Sequence, residues 1–244
     1  MEGNAEGEAL SDSSATAGVV AVGIDGGSGI DEITNREAIV GNVDSSVSAV
    51  GVGVGIGITK EGNTSGAALS DASVTASAAA TGIDGGGDSD EIDNRGDIGL
   101  GAHADATGVA VALTVAGTIK GDNDGKAVSD ASAEATSKVT AIDGGSGNDT
   151  IINDSLMTAA SVSAEATAVS VGLAVSGSME GNVAGEALSD GSATADARAT
   201  GIDGGSGQDT IDNWSYIYGE VDASATTVAV SADVAVSIEE EGDA

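Results

Sequence analysis

Four copies of a glycine-rich turn carry the residues best suited to chemistry. Asp25 and Gly26 open the first copy, Gly-Ser-Gly-Ile follows, and Asp31 closes it. The second copy holds Asp84, Gly85, Asp88 and Asp90; the third holds Asp143, Gly144 and Asp149; the fourth holds Asp203, Gly204 and Asp209. The leading Asp recurs at steps of 59, 59 and 60 residues. Carboxylates offer only oxygen, a donor type that suits a hard cation. Stacked on successive coils, these carboxylates would be like charges at short range, which is unfavourable without a cation between them. The metal-free alternative is a tight turn in which each Asp caps its own backbone.

Other candidates are weaker. Asp12, Asp71, Asp130 and Asp190 form a second acidic column that reads as a solvated strand end. His103 is the sole histidine and reads as a surface residue. Trp214, Tyr216 and Tyr218 are expected to share one strand face, opposite Ile211, Asn213 and Ile217, and an exposed aromatic stripe can stack on sugar rings or a partner, or serve as a cap or packing surface. No Ser-His-Asp or Gly-x-Ser-x-Gly context exists. The acids are many, but a glycosidase cleft needs irregular insertions that this regular chain lacks. No enzymatic activity is expected.

Something must position these turns, and the composition narrows what it is. The 244 residues include 39 Gly, 3 aromatics and no Phe, Pro or Cys. A bulky globular core is therefore excluded, as are disulfides. Asp and Glu number 40 against 7 Lys and Arg, for a net charge of −33. Nucleic acid is a poor partner for such a surface, and cations are good ones. No 18-residue apolar run exists, so no membrane insertion is expected. The opening residues Met1 to Ala5 do not read as a secretory signal.

Each repeat has three extended pieces. The first alternates small residues, such as Ala193, Ala195, Ala197 and Ala199, with polar ones. The second aligns Ile33, Ile92, Ile151 and Ile211, with Asn35, Asn94, Asn153 and Asn213 two residues on. Stacked identical Asn side chains can bond amide to amide in a parallel, in-register ladder. The third alternates Val50, Val52, Val54, Ile56 and Ile58 with glycines. Neither of its faces is charged, so this strand is expected to be covered on both sides. The fourth repeat departs from that rule with Asp233. Dense Gly and β-branched residues disfavour helix.

The expected fold is all-β: a parallel β-solenoid, β-helix- or β-roll-like, of four ~60-residue repeats in which each unit contacts its neighbours. The repeats run approximately over 1–60, 61–119, 120–179 and 180–244, as one domain over 1–244. One coil per repeat would stack the turns directly. Two or three coils, or a stack of hairpins, also fit the length. A further marker, Gly3, Gly62, Gly121, Gly181 and Gly242, shows the chain starting and finishing in the same phase. That phase suggests a whole-repeat piece of a longer protein, or a subunit whose ends continue one another.

The turns Gly26 to Ile33, Gly144 to Ile151 and Gly204 to Ile211 match Gly-Gly-x-Gly-x-Asp-x-hydrophobic. They resemble the calcium-binding nonapeptides of RTX (repeats-in-toxin) proteins. The resemblance implies Asp31, Asp90, Asp149 and Asp209 as carboxylate ligands of Ca²⁺, and Gly26, Gly85, Gly144 and Gly204 as carbonyl donors. It covers about nine residues per repeat. RTX motifs run in tandem, whereas here each stands alone, and Asp88 replaces a motif glycine. The strands between are similar to those of repetitive bacterial surface adhesins. Together these likenesses imply an extracellular or cell-surface structural protein, bacterial, calcium-stabilised, self-associating end to end or laterally as an adhesin or filament. The alternative they leave is a carbohydrate-binding module using the Trp214, Tyr216 and Tyr218 face.

Overall fold

Small and polar residues alternate with no Pro to interrupt them, so the chain runs in long extended segments. The computed structural model describes residues 3–238, and these form strands joined by tight turns, with no helix. The first coil is β1 (Ala5–Asp25), β2 (Glu32–Asn35) and β3 (Ile39–Ile58). The second is β4 (Thr64–Asp84), β5 (Glu91–Asn94) and β6 (Ile98–Lys120). The third is β7 (Asn123–Asp143), β8 (Thr150–Asn153) and β9 (Met157–Glu180). The fourth is β10 (Val183–Asp203), β11 (Thr210–Asn213) and β12 (Ile217–Ser237).

Every strand pairs in parallel with its equivalents, giving three four-stranded sheets ordered β1-β4-β7-β10, β2-β5-β8-β11 and β3-β6-β9-β12. The chain is thus a parallel β-solenoid with one coil per repeat. Identical residues face one another along the stack, as with Leu10 on Leu69 and Asp12 on Asp71. The single 60-residue step has a local cause. Leu100 pairs with Ala159 but Gly101 pairs with Ser161, so Ala160 is an extra residue held as a bulge. The next coil sees the same shift between Gly219 and Val221.

Side-chain size sets the shape of each coil. Where the three sheets meet, Ile83, Ile92 and Ile98, one from each strand of the second coil, are fully buried. Burial of each is worth about 1.5–3 kcal/mol. Towards the opposite edge the two long sheets close on Ala and Gly, with Ala68 and Ala112 fully buried. A Cβ on Gly51 would lie 2.6 Å from the Asp71 carbonyl oxygen, and one on Gly53 would lie 2.7 Å from that of Leu69. The sheets therefore touch nearly backbone to backbone, nearer than the usual ~10 Å. Some hydroxyls in this narrow part are bonded across it: Thr114 Oγ1 donates to the Lys126 carbonyl at 2.7 Å, and the Ser129 and Ser170 hydroxyls are 2.7 Å apart, while those of Ser70 and Ser176 are buried without a partner.

The expectation for the third piece needs correction. Its glycines and alanines point inward, but its large side chains face outward and are not covered. Val50, Val52, Val54, Ile56 and Ile58 are between 47% and 65% exposed. Close sheet approach demands the small residues inside, which leaves the larger apolar set on the surface. Asp233 keeps the inward phase, with its carboxylate against Gly185. The marker residue Gly242, like Met1 of the opening Met-Glu-Gly-Asn, lies outside the described residues.

Candidate cation site in the glycine-rich turns

The turn between the first two strands of each coil is built by backbone that only glycine adopts readily. Gly27, Gly86, Gly145 and Gly205 have φ between 78° and 91°. A second left-handed position falls on Gly29, Gly147 and Gly207, and in the second coil on Asp88 at φ 72°. The turns interlock between coils. The Ser146 N–H donates to the Gly86 carbonyl at 2.9 Å, and the Ser206 N–H donates to that of Gly145 at 2.9 Å.

The two predicted carboxylate series do different things. Asp84, Asp143 and Asp203 each accept from the N–H two residues on, at Gly86, Gly145 and Gly205, over 3.0–3.1 Å. These are the local caps of the metal-free alternative. Burial, and then Asp143, push the Asp84 carboxyl above its ordinary range, while the Gly86 bond opposes this. Asp25 pairs with Asp84 at the head of the same column.

The closing acids form the more unusual column. The Asp31 N–H donates to Asp90 Oδ1 at 2.8 Å, the Asp90 N–H to Asp149 Oδ1 at 2.8 Å, and the Asp149 N–H to Asp209 Oδ1 at 3.0 Å. Asp90 is 3% exposed and Asp149 is 1% exposed. The other oxygens, Oδ2 of Asp31, Asp90 and Asp149, are buried without a hydrogen-bond partner. Those of Asp90 and Asp149 face the opening glycines of their own turns: a Cβ on Gly85 or Gly144 would lie 3.0 Å from Oδ2 of Asp90 or Asp149, and likewise one on Gly204 would lie 2.9 Å from that of Asp209. A Cβ on Gly26 would collide with the Gly85 carbonyl oxygen, so this whole glycine column is needed for close stacking. Burial pushes the Asp90 carboxyl above its ordinary range; the Asp31 N–H opposes this, and Asp149, Asp31 and Asp88 add to it.

An orphaned carboxylate oxygen in a closed column needs a counter-charge or a proton. The donor set is all oxygen, which fits a hard cation shared between neighbouring turns. Among the described residues, no three acidic, His or Cys side chains converge on one point. A cation here would thus take one or two carboxylate oxygens and fill its shell from carbonyls and water.

The repeat spacing places both Asp series in these turns, but it could not separate the capping Asp from the orphaned one. The Asn series forms the expected ladder: the amides of Asn35, Asn94 and Asn153 donate to the next Oδ1 at 2.7 Å each. Asp12, Asp71, Asp130 and Asp190 are exposed, as expected, although partial burial and the neighbours Asp71 and Asp190 push the Asp130 carboxyl upward. His103 Nδ1 lies 2.6 Å from Ser163 Oγ on the outer face. The three aromatics do not share one strand face as expected: the strand breaks after Asn213, so Trp214 and Tyr216 sit in the turn before β12 and Tyr218 within it; all three are exposed, with the tyrosine rings stacked at 6.0 Å. No protein-family model, curated protein or solved structure matches the chain.

Proposed function

We propose that this chain is an extracellular structural repeat, a calcium-stabilised β-solenoid of a bacterial surface adhesin or self-assembling filament, with no catalytic role. The observation that carries the reading is the line of buried, unpartnered Oδ2 atoms on Asp31, Asp90 and Asp149. Calcium on that line would remove the repulsion between coils, and its binding free energy would become folding free energy. The ladders are also directional, since each coil donates from its Asp N–H and Asn amide to the coil after it. A further coil in the same phase, from this chain or a second copy, would accept from Asp209 and Asn213 and extend the stack. The regular, stacked surface offers length and stiffness.

Thermal melts in EDTA and in millimolar Ca²⁺ test this. The reading expects calcium to raise the melting temperature and chelation to lower it. Equal melts, together with stabilisation by acid alone, would assign the column to protons and sink the calcium claim.

The stacked Tyr216 and Tyr218 rings beside Trp214 favour one second reading, a carbohydrate-binding face. A blank glycan array, or binding that survives Trp214→Ala, would reject it.

A further inference from the structure

The outer face of the β3-β6-β9-β12 sheet is divided in two. Its first half is polar and acidic, with Asp44, Asp105, Glu165 and Asp222 pointing outward. Its second half bears five apolar columns, headed in the first coil by Val50, Val52, Val54, Ile56 and Ile58. No outward residue in those columns is charged, on a chain of net charge −33. The opposite outer face, on the β1-β4-β7-β10 sheet, carries the acidic column from Asp12 to Asp190.

We propose that this apolar half-face docks on the same half-face of a second copy, about a two-fold axis running along the solenoid through the Val54–Leu113–Leu173 column. The inference concerns lateral pairing and needs no calcium. Three observations choose the occupant and the geometry.

The first is area. Four strands at ~4.8 Å and nine residues at ~3.3 Å give ~570 Å² per copy, so a pair buries about 1,100 Å², just above the ~1,000 Å² a specific interface needs.

The second is charge. An axis along the stack opposes the strand directions. Apolar half then covers apolar half, while the two acidic halves project to opposite sides. An axis along the strands would instead set Asp105 and Glu165 against the acids of the partner. The Asp12-to-Asp190 columns end on the far outer surfaces, more than two sheet spacings apart and beyond a screening length of ~10 Å at 0.1 M salt. An anionic lipid surface offers no such escape for this acidic rim.

The third is shape. The last column reads Ile58, Gly117, Gly177, Val236. Its two glycines floor part of a groove of about 570 Å³ that continues to Lys60, Ile119 and Met179 beyond this column, and a Cβ on Gly117 would meet nothing within 4 Å. The proposed axis puts the Val50 column opposite this one, coil against coil. Val109 then enters the groove over Gly117, and Val169 enters over Gly177. The two-fold repeats both contacts, so the face is complementary to itself.

The test uses the 244-residue chain in EDTA, by sedimentation velocity over a concentration series with and without added salt. The expected species has twice the 23.0 kDa chain mass, strengthened by salt as the acidic rims are screened. Val111→Glu with Val171→Glu points charge outward without touching the core, and should return the monomer with unchanged circular dichroism. Ser73→Glu, on the other outer face, should leave the dimer intact. The chain has no Cys, so Leu113→Cys on the axis should cross-link to a dimer on oxidation. Val109→Cys should cross-link when mixed with Gly117→Cys. A monomer throughout the series, a dimer that survives the double Glu variant, or cross-linking at Ser73→Cys instead of Leu113→Cys would each overturn the proposal. Because all of this is read in EDTA, its failure leaves the calcium reading standing, and calcium-insensitive melts leave the pairing standing.

Discussion

The Asp90 N–H donates to Asp149 Oδ1 across one coil step, at 2.8 Å, and Asp149 Oδ2 is left buried with no partner. One oxygen of Asp90 and of Asp149 thus serves the stack and the other is held in reserve. The ladder bond is charge-assisted and favourable, but the buried free oxygen costs more than the same atom in water. The column behaves as a conditional joint, strong when something neutralises it and strained when nothing does.

Asp90→Asn tests that balance. The amide oxygen still accepts the Asp31 N–H, while the buried charge disappears. In EDTA the variant should be about 1 kcal/mol more stable than the parent, a rise of roughly 2–4 °C in melting temperature for a chain of this size. In millimolar calcium the order should reverse, because the second coil has lost its carboxylate. Parallel melts read both signs. A variant less stable than the parent in EDTA would show that the charge is not a burden.

The pH dependence follows from the same group. Burial raises the Asp90 carboxyl above its unfolded value, and Asp84 and Asp130 move the same way. The folded state then binds more protons than the unfolded chain, so stability falls as pH rises. The expected calcium-free behaviour is a gain on acidification from neutral pH through the raised values, levelling off below the ordinary Asp range near 3.8. Relief of the −33 self-repulsion acts in the same direction. With calcium bound the carboxylates are already compensated and the gain should shrink. Melts from neutral to acid pH in EDTA that fall steadily would contradict this.

The Asn ladder is a second load on the stack. Asn94 is fully buried, accepts from Asn35 and donates to Asn153. Asn94→Ala breaks both bonds, strands the Asn35 amide donor in the core and leaves Asn153 Oδ1 only the long bond from the Ser155 N–H, at a cost of about 2–4 kcal/mol. Asn213 is exposed and only accepts along the ladder, so Asn213→Ala should cost less than about 1 kcal/mol. Chemical denaturation of the two variants compares them directly; equal losses would mean that the ladder carries no weight.

Much of this was legible in the sequence, for a physical reason. When identical coils stack in register, spacing along the chain becomes position in space, and the 59-residue step alone placed Asn35 on Asn94 and Asp31 near Asp90. The orientation of the third strand was not legible. Val52 and Gly53 alternate with no charge on either side, and periodicity gives two faces without saying which is inward. What decided it was sheet separation: the Leu69 carbonyl oxygen stands 2.7 Å from where a Gly53 Cβ would be, so only the small face fits inside. The turn acids were half legible for a similar reason. Asp84 and Asp90 are both Asp beside glycines, and only the local backbone makes one a cap and the other a buried joint.

Asp88 shows where the repeat departs from its own rule. It holds φ 72° where the other three coils have glycine. Asp tolerates the left-handed region better than most residues but still carries strain there. Its side chain is exposed, and its charge adds to the pressure on Asp90. Asp88→Gly removes both penalties and restores the motif of the neighbouring turns. The loss of chain entropy on folding a new glycine offsets part of the gain, so the net stabilisation should be about 0.5–1 kcal/mol. Asp88→Asn separates the two contributions, since it keeps the backbone preference and removes the charge. If Asn matches Gly, the charge near Asp90 is the dominant burden; if Asn matches the parent, the backbone is. A Gly variant less stable than the parent in EDTA would mean that Asp88 contributes a contact to the turn worth more than its strain.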